Sequence, residues 1–228
     1  MQYLITSDVH LGSSHCRLHE FSQLLAALHP HIPLVLAGDT IDDPKQRLDD
    51  ETMSVLNQLM GRTKHAPVIW VKGNHDDGYE FPKEHQMQVQ MEFTIPNRLH
   101  VSHGDTFDNV MPHNRWFIRS FKLLHSLRMK MGARPVHVAD YAKRFGLLYN
   151  YLRSRVMTSA IEHAKENDFP VIACGHVHFP EDRISEEVRY LNLGAWTESP
   201  NHCLLVDDKE ISLVTVADAL KNPDWFIS

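Results

Sequence analysis

Short apolar runs recur along the chain, and each is followed at once by polar residues or glycine. Five of these runs are four residues long and rich in aliphatic and β-branched side chains, which predicts buried strands at Tyr3–Thr6, Leu34–Ala37, Val68–Val71, Leu99–Ser102 and Val171–Cys174. Between the first three runs, apolar residues recur every third or fourth position, which predicts helices built on Leu18, Phe21, Leu25 and Leu28, and on Leu48, Thr52, Val55 and Leu59. This strand–helix alternation indicates α/β units in the first 75 residues.

The pattern of apolar and polar positions is different in the remainder of the chain. Residues 86–94 alternate apolar and polar side chains, with Met87, Val89, Met91 and Phe93 on one side, which predicts a half-buried strand. Further strands are predicted at 190–193, 203–206 and 211–216, the last two joined by a turn at 207–209. So many strands favour two sheets rather than one.

Residues 107–165 are predicted to be helical. One apolar stripe runs from Phe117 to Leu127 and a second from Phe145 to Ala160, and Gly132-Ala133-Arg134-Pro135 separates them. We therefore expect a helical hairpin inserted between strands of a single domain that spans 1–228.

Charge singles out the same segment. It holds 11 Lys or Arg against 3 Asp or Glu, a net charge of +8, whereas the whole chain carries −6 and the remainder therefore −14. The three cysteines are scattered without a CxxC pair, which favours reduced thiols in the cytoplasm over a disulfide or a zinc–thiolate site. No secretory leader or membrane-length apolar run is visible, so we expect a cytoplasmic protein, peripheral at most to the inner face of the membrane.

Candidate chemistry lies where the apolar runs end. The five polar clusters, in chain order, are Asp8-Val9-His10, Gly38-Asp39-Thr40-Ile41-Asp42, Gly73-Asn74-His75-Asp76, His103-Gly104-Asp105 and Gly175-His176-Val177-His178. In α/β folds ligands bind beyond the carboxyl ends of strands, so such clusters can converge there. Neighbouring glycines allow the backbone to turn sharply and approach an ion.

The residue types in these clusters are metal ligands. Aspartate oxygen and imidazole nitrogen suit divalent transition metals. The i, i+2 spacing of Asp8 and His10, and of His176 and His178, would put each pair on one face of an extended segment. We expect two divalent ions, with Mn²⁺ as first choice and Fe²⁺, Zn²⁺, Ni²⁺ or Mg²⁺ as alternatives.

The ordered set of clusters resembles the calcineurin-like metallophosphoesterase superfamily. The resemblance covers residues 4–178 and implies an α/β (mixed α+β) fold: a four-layer αββα sandwich of two mixed sheets, here with an inserted helical cap at 107–165. It also implies a hydrolase in which two cations activate a bridging water for in-line attack on phosphorus.

The resemblance assigns roles by position. It implies that the metal ligands are Asp8, His10 and His178 at one ion, Asn74, His103 and His176 at the other, and Asp39 between them. His75 would lie beside the phosphate as a catalytic residue, with Asp76 or Asp42 orienting it. Asp105 would support the ligands from behind.

A narrower resemblance is to the UDP-2,3-diacylglucosamine hydrolase branch, whose members cleave the pyrophosphate of a lipid-linked nucleotide sugar. It is carried by residues 8–13, 103–105, 175–180 and 192–196. The chain departs from that branch at His75, where arginine is typical, and at Ala195, where aspartate is usual. A phosphorylated small molecule or a lipid-linked nucleotide is the expected substrate.

Several alternatives remain open. The leading expectation is a metal-dependent hydrolase of a phosphodiester or pyrophosphate bond. The five clusters do not exclude a phosphomonoesterase, and the basic insert permits a nuclease, although the net charge of −14 outside the insert disfavours broad nucleic-acid binding. A scaffold without catalysis is disfavoured because all seven ligand positions and His75 are filled. The basic insert could pack only on the protein body, dock on anionic lipid, or form a substrate cap through Arg115, Arg119, Lys122, Arg144 and Trp196. The sequence does not indicate the oligomeric state.

Overall fold

The computed structural model describes residues 1–108, 146–185 and 187–227. The first sheet has six strands in the order β11-β10-β1-β2-β3-β4. These strands are β1 (Tyr3–Thr6), β2 (Leu34–Ala37), β3 (Val68–Val71), β4 (Gln88–Gln90), β10 (His202–Val206) and β11 (Ile211–Thr215). β1 to β4 are parallel, whereas β10 is antiparallel to both β1 and β11.

The second sheet has five strands in the order β5-β6-β7-β9-β8. They are β5 (Glu92–Ile95), β6 (Leu99–Ser102), β7 (Val171–Cys174), β8 (Glu181–Ser185) and β9 (Val188–Asn192). β6, β7 and β9 are parallel, and the edge strands β5 and β8 are antiparallel to their neighbours. The five apolar runs recognised in the sequence are β1, β2, β3, β6 and β7, with the predicted bounds.

Two helices connect the parallel strands of the first sheet. α1 (Leu18–Ala27) buries Phe21, Leu24 and Leu25, and α2 (Asp50–Arg62) buries the side of the helix that carries Val55 and Leu59. Asp49 is the N-cap residue of α2: its carboxylate accepts a hydrogen bond of 2.8 Å from the Thr52 amide. Right-handed crossovers of this kind place the helices on one face of a parallel sheet.

Three apolar clusters define the layers. One lies between the first sheet and α1 and α2, and a second lies between the two sheets, where Ile5 and Val35 meet Val101 and Leu191. The third lies between the second sheet and α3 (Gly146–Glu166), around Val156 and Ala160. The order helix–sheet–sheet–helix confirms the predicted αββα sandwich.

The alternating segment 86–94 is not one strand. It is split into β4 and β5, which belong to different sheets, and Met91 between them is 65% exposed. Met87 packs in the core outside the first sheet, whereas Phe93 packs between the sheets. Alternation of period two fits either strand, so the sequence pattern could not reveal where the chain crosses between sheets.

Two other segments differ from the sequence analysis or lie beyond it. Strand β8 was not predicted, because Glu181–Ser185 is largely polar and forms an exposed edge. Most of the predicted insert, residues 109–145, lies outside the described residues; its second apolar stripe belongs to α3. The chain ends with a short helix, α4 (Val216–Ala219), after β11.

Among the described residues, no helix combines the length and hydropathy that crossing a bilayer requires.

Candidate metal centre

The five polar clusters meet at one end of the sandwich, because each follows the carboxyl end of a parallel strand: β1, β2 and β3 in the first sheet, β6 and β7 in the second. Backbone hydrogen bonds join the loops directly. The amides of Asp8 and His10 donate to the carbonyls of Gly38 and Asp39, both at 3.0 Å, and the Gly175 amide donates to the His103 carbonyl at 2.8 Å. The loops therefore form one framework.

The predicted ligands have an unusual backbone conformation. Asp8, His10, Asp39, His176 and His178 all have positive φ, between 49° and 67°. The expectation that Asp8–His10 and His176–His178 are extended segments is therefore wrong; left-handed residues turn each loop and direct its side chains inward. Left-handed backbone costs an L-residue about 1–2 kcal/mol, which the surrounding structure must offset.

Three glycines make room for ligands that come from other loops. A Cβ on Gly38 would lie 2.4 Å from the His103 ring, and one on Gly73 would lie 2.2 Å from Oδ1 of Asp39. A Cβ on Gly175 would lie 2.0 Å from Oδ2 of Asp8. These glycines are required by the close approach of a neighbouring ligand, and not only by the turn in which they lie.

Six of the predicted site residues form three overlapping groups of potential metal donors. Within each group, the donor atoms lie within 4.8 Å of one another. The groups are Asp8, His10 and His178; His10, Asp39 and His75; and Asp8, Asp39 and His103. Because Asp8, His10 and Asp39 each belong to two groups, the arrangement offers neighbouring positions for more than one ion.

His103 provides a direct test of whether these residues fit a cation. Its Nδ1 lies 3.1 Å from the carbonyl oxygen of Ala37, which can only accept, so Nδ1 carries a proton. In the neutral ring, the Nε2 lone pair then faces Oδ2 of Asp39 at 3.2 Å. This buried nitrogen makes no hydrogen bond among the residues that the structure describes. Two acceptors held face to face require a cation between them, either a proton or a metal ion, so the site fits a metal that displaces the proton.

His10 and His178 repeat this arrangement on the other side of Asp8. Nδ1 of His10 donates to Oδ1 of Asp42 at 3.0 Å, which turns Nε2 inward. That Nε2 lies 3.2 Å from Nε2 of His178, which in turn lies 3.1 Å from Oδ1 of Asp8. Three donor atoms therefore converge, and Asp42 supports His10 from behind, a pairing that the sequence analysis did not predict.

His75 lies at the edge of this cluster. Its side chain is 41% exposed and its Nε2 lies 4.0 Å from Oδ2 of Asp39. Nδ1 donates to the backbone carbonyl of Asp42 at 2.6 Å, so Asp42 orients the ring through its main chain. The ring therefore holds Nε2 near the donor groups while much of the side chain stays exposed.

Asp76 has a different position from the one predicted. Its buried carboxylate accepts hydrogen bonds of 2.9 Å from the amides of Ile41 and Gly73, and so ties the second loop to the third. It does not contact the His75 ring. Its expected catalytic role is replaced by a structural one, since both oxygens are engaged by backbone donors.

His176 belongs to none of the three donor groups. Nε2 of His176 lies 3.1 Å from Oδ2 of Asp108, and its backbone amide donates to the Asp8 carboxylate at 3.1 Å. The carboxylate that supports His176 is thus Asp108, which directly follows the 3₁₀ turn at Asp105–Phe107. The Asp105 carboxylate acts instead on the electrostatics of His103, whose pKa it helps to raise. Nothing in the sequence pattern distinguished Asp108. Asn74 is exposed in the third loop.

The proposed cap residues have mixed outcomes. Trp196 is 1% exposed and its Nε1 donates to Thr6 Oγ1 at 2.7 Å, so it is a core residue and not part of a substrate cap. Its amide also donates to the Asp8 carbonyl at 2.9 Å, which steadies the first loop. Arg115, Arg119, Lys122 and Arg144 lie outside the described residues.

Two further side chains that the sequence analysis did not single out hold the centre together. Ser7 Oγ lies within hydrogen-bond distance of the Asp8 carboxylate and of the Ala37 carbonyl. Asn192 Nδ2 donates to the Gly175 carbonyl at 2.6 Å and so supports the last loop from inside the protein. Asn192 lay in a segment recognised by resemblance, whereas Ser7 gave no separate signal.

The electrostatics of the centre favour ionised carboxylates. Burial raises the pKa of Asp8 and Asp39, but the histidines around them outweigh it, so both pKa values lie below the usual range. Burial lowers the pKa of His103, yet the Asp39 carboxylate outweighs it and raises that pKa to about 10. Burial lowers the pKa of His178. A compact set of ionised carboxylates and imidazoles is what a divalent cation binds.

Comparison with known proteins identifies the family of the chain. Residues 1–180 match the family model of the calcineurin-like phosphoesterases. Among solved structures, the chain is similar to the phosphoesterase YfcE of E. coli, with 17% identity, coverage of 95% of this chain and 100% of that one, and a TM-score of 0.43. It is also similar to Vps29 of Chaetomium thermophilum, with 14% identity, coverage of 93% and 84%, and a TM-score of 0.49.

A third similar structure is the nuclease MPE of Pseudomonas putida, with 16% identity, coverage of 92% and 86%, and a TM-score of 0.43. No curated protein sequence matches the chain significantly. The family match includes every residue of the five polar clusters, and six of these residues form the donor groups described above. The chain therefore belongs to the calcineurin-like phosphoesterase family and is a metal-dependent phosphoesterase.

Proposed function

We propose that this phosphoesterase is a two-metal hydrolase that cleaves a phosphodiester or pyrophosphate bond. The observation that carries the proposal is the overlap of the three donor groups, in which Asp39 belongs to the groups that contain His75 and His103. Asp8, His10 and His178 would hold one ion, and His103 with Asn74 and His176 the other. Asp39 would contribute to both.

Bound divalent ions would lower the pKa of a coordinated water and offset negative charge on the phosphoryl oxygens. The protein residues supply the rest. The inward-facing Nε2 atoms of His10 and His103 are held by hydrogen bonds behind them, so the ligands do not need to reorganise when an ion binds. Preorganisation of this kind lowers the cost of stabilising charge in the transition state.

His75 is suited to protonate the leaving oxygen. Its Nδ1 proton is held by the Asp42 carbonyl, so Nε2 is the atom that exchanges a proton with the substrate side. Its side chain is 41% exposed, so a substrate can reach it. Asp42 therefore supports both a predicted ligand and the predicted acid.

We propose a nucleotide-sugar or other pyrophosphate-containing small molecule as the substrate, with a UDP-2,3-diacylglucosamine-like lipid among the candidates. The resemblance of residues 103–105, 175–180 and 192–196 to that branch supports this choice, and His75 in place of arginine separates the chain from its lipid-cleaving members. Residues 107–165 would form a cap, with peripheral contact to anionic lipid. We further propose that the bound ions are Mn²⁺ and that the protein is cytoplasmic.

Hydrolysis assays test the proposal. With Mn²⁺ present, the purified protein should hydrolyse bis-p-nitrophenyl phosphate faster than p-nitrophenyl phosphate, and Asp39→Asn should lose at least about 100-fold of the activity, because an amide replaces a charged donor. Asparagine tolerates the positive φ of Asp39, so the fold should persist. The exposed neighbour Asp77 provides the matched control, and Asp77→Asn should remain active.

Equal activity of Asp39→Asn and the unmodified protein would refute a two-metal mechanism. Faster hydrolysis of p-nitrophenyl phosphate than of the diester would indicate a phosphomonoesterase instead. Screening UDP-2,3-diacylglucosamine, dinucleotides and cyclic nucleotides under the same conditions would identify the leaving group.

A further inference from the structure

The loop that carries His176 and His178 is one of two strained segments of the metal centre, the other being Asp8–His10. Both residues have left-handed backbone, with φ of 67° and 51°, and only Val177 separates them. At about 1–2 kcal/mol for each left-handed residue, this segment needs contacts from outside to hold its shape. On the inner side, Asn192 supplies such a contact through the Gly175 carbonyl.

Helix α3 supplies the contact on the outer side. Tyr149, one turn from the start of its described part, donates its hydroxyl to the Val177 carbonyl at 2.6 Å. That carbonyl lies between the two histidines, so fixing it limits the rotation of the peptide units that join them. The aromatic ring of Tyr149 also lies against Phe179, with ring centroids 6.4 Å apart.

Arg153 extends the contact along the same face of α3. It lies four residues after Tyr149, and therefore one helical turn farther on. Its guanidinium covers the Phe179 ring at 4.0 Å from the centroid, and its Nε lies 3.4 Å from Oε2 of Glu181. Phe179 directly follows His178, so Arg153 holds the end of the strained segment by stacking and by charge.

We propose that Tyr149 and Arg153 are positioning residues for the metal centre: they hold His176 and His178 in the geometry that binds both ions. The inference rests on the proposed two-metal function. Tyr149 and Arg153 belong to the basic insert. The proposal therefore gives the insert a role in metal binding, whatever the rest of the insert contacts.

Metal affinity, measured apart from turnover, tests this proposal. Mn²⁺ is titrated into the metal-free full-length protein against a fluorescent chelator. Tyr149→Phe removes only the hydroxyl, and we expect Mn²⁺ to bind about 10–100-fold more weakly, the usual effect of losing a group that orients a ligand. Arg153→Ala should also weaken Mn²⁺ binding. Arg153→Lys should bind Mn²⁺ only slightly better than Arg153→Ala, with less than half of the lost affinity regained, because an ammonium does not stack on Phe179 as a planar guanidinium does.

The matched control is Tyr151→Phe. Tyr151 lies on the same helix and is 55% exposed, so its variant should bind Mn²⁺ as the unmodified protein does. At saturating Mn²⁺, Tyr149→Phe should recover most of its kcat, since the hydroxyl donates to the Val177 carbonyl and acts through the ligand loop. A merely structural role would lower the thermal midpoint of Tyr149→Phe and leave its Mn²⁺ affinity per folded molecule unchanged.

Unchanged Mn²⁺ affinity in Tyr149→Phe would therefore overturn the inference, whatever the thermal midpoint. The outcome is separable from the proposed function. If the unmodified protein binds Mn²⁺ and hydrolyses the diester while Tyr149→Phe binds equally well, only the positioning role fails. If the unmodified protein binds no Mn²⁺, the two-metal proposal itself fails.

Discussion

The backbone of Gly175 packs directly against the carboxylate of Asp8, so that a Cβ at position 175 would lie 2.0 Å from Oδ2. The two residues come from different sheets, and this contact is part of what joins the loops after β1 and β7. A ligand loop from the first sheet and one from the second can share a metal centre only if the backbone of one leaves room for the side chain of the other.

Gly175→Ala should therefore disable the metal centre. The added methyl group would also meet Ser7 Oγ at 2.0 Å, so either the loop or the Asp8 carboxylate must move. A displacement of about 1 Å costs on the order of 100-fold in activity, and we expect at least that loss in the diester assay. Gly61→Ala in α2 is the control, because a Cβ there has no neighbour within 4 Å; it should raise the free energy of unfolding by about 0.5–1 kcal/mol. Full activity in Gly175→Ala would contradict the close packing.

Asp42→Ala should separate metal binding from proton transfer. The carboxylate that holds Nδ1 of His10 is lost, whereas the backbone carbonyl that holds His75 remains. We expect Mn²⁺ affinity to fall about 10–100-fold, and kcat at saturating Mn²⁺ to stay close to that of the unmodified protein. Asp43→Ala, at the exposed next position, is the control. A fall in kcat with unchanged Mn²⁺ affinity would show that Asp42 acts on the reaction rather than on the ligand.

Metal binding should release a proton from His103. The pKa of His103 is raised to about 10 by Asp39, so its Nε2 is protonated in the metal-free protein at neutral pH, and an ion must displace that proton. Below about pH 10, the affinity for Mn²⁺ should therefore rise about tenfold per pH unit for each proton released. Calorimetric titrations at one pH in buffers of different ionisation enthalpy count the protons. Binding without proton release would contradict the assignment of His103.

Arg62→Met should destabilise the fold without affecting the metal centre. The half-buried guanidinium of Arg62 donates to four carbonyls at the end of α1 and just beyond it, at distances of 2.9–3.3 Å, namely those of Leu25, Leu28, His29 and Ile32. Methionine fills similar space but donates to none of these carbonyls. We expect the free energy of unfolding in urea to fall by about 2–3 kcal/mol, with Mn²⁺ affinity unchanged. Arg47→Met, at an exposed position, should change stability by less than about 0.5 kcal/mol.

The sequence predicted the strands that carry the metal centre better than it predicted the segments between them. A four-residue run such as Val68–Val71 is apolar throughout because both faces of its sheet are covered, and this signal is local. Segment 86–94 shows the limit. Its alternation predicts strand conformation correctly, but the crossing at Met91 from one sheet to the other depends on which faces are available in three dimensions.

The same division applies to the centre. Residue type and order identified Asp8, His10, Asp39, His75, His103 and His178, because metal ligands must be of few chemical kinds and must follow strands that end at one edge. The residues that support the ligands were harder to predict from the sequence. Asp76 and Asp108 are both acidic and both lie near a ligand motif, and only the fold decides that the first accepts backbone amides while the second faces His176.

By itself, then, the sequence determined that the strands form two sheets, that the centre lies where strands end, and which ligand types it contains, since these follow from local hydrophobic pattern and from donor chemistry. The four-layer sandwich was implied only by the resemblance of the ordered clusters to a known family. The tertiary structure alone decided which glycine accommodates which ligand, which carboxylate supports which imidazole, and that Tyr149 and Arg153 reach the loop of His176 and His178. These relationships join residues that are distant in the chain, and contact across such distances is fixed by how the two sheets and α3 pack, which no local pattern records.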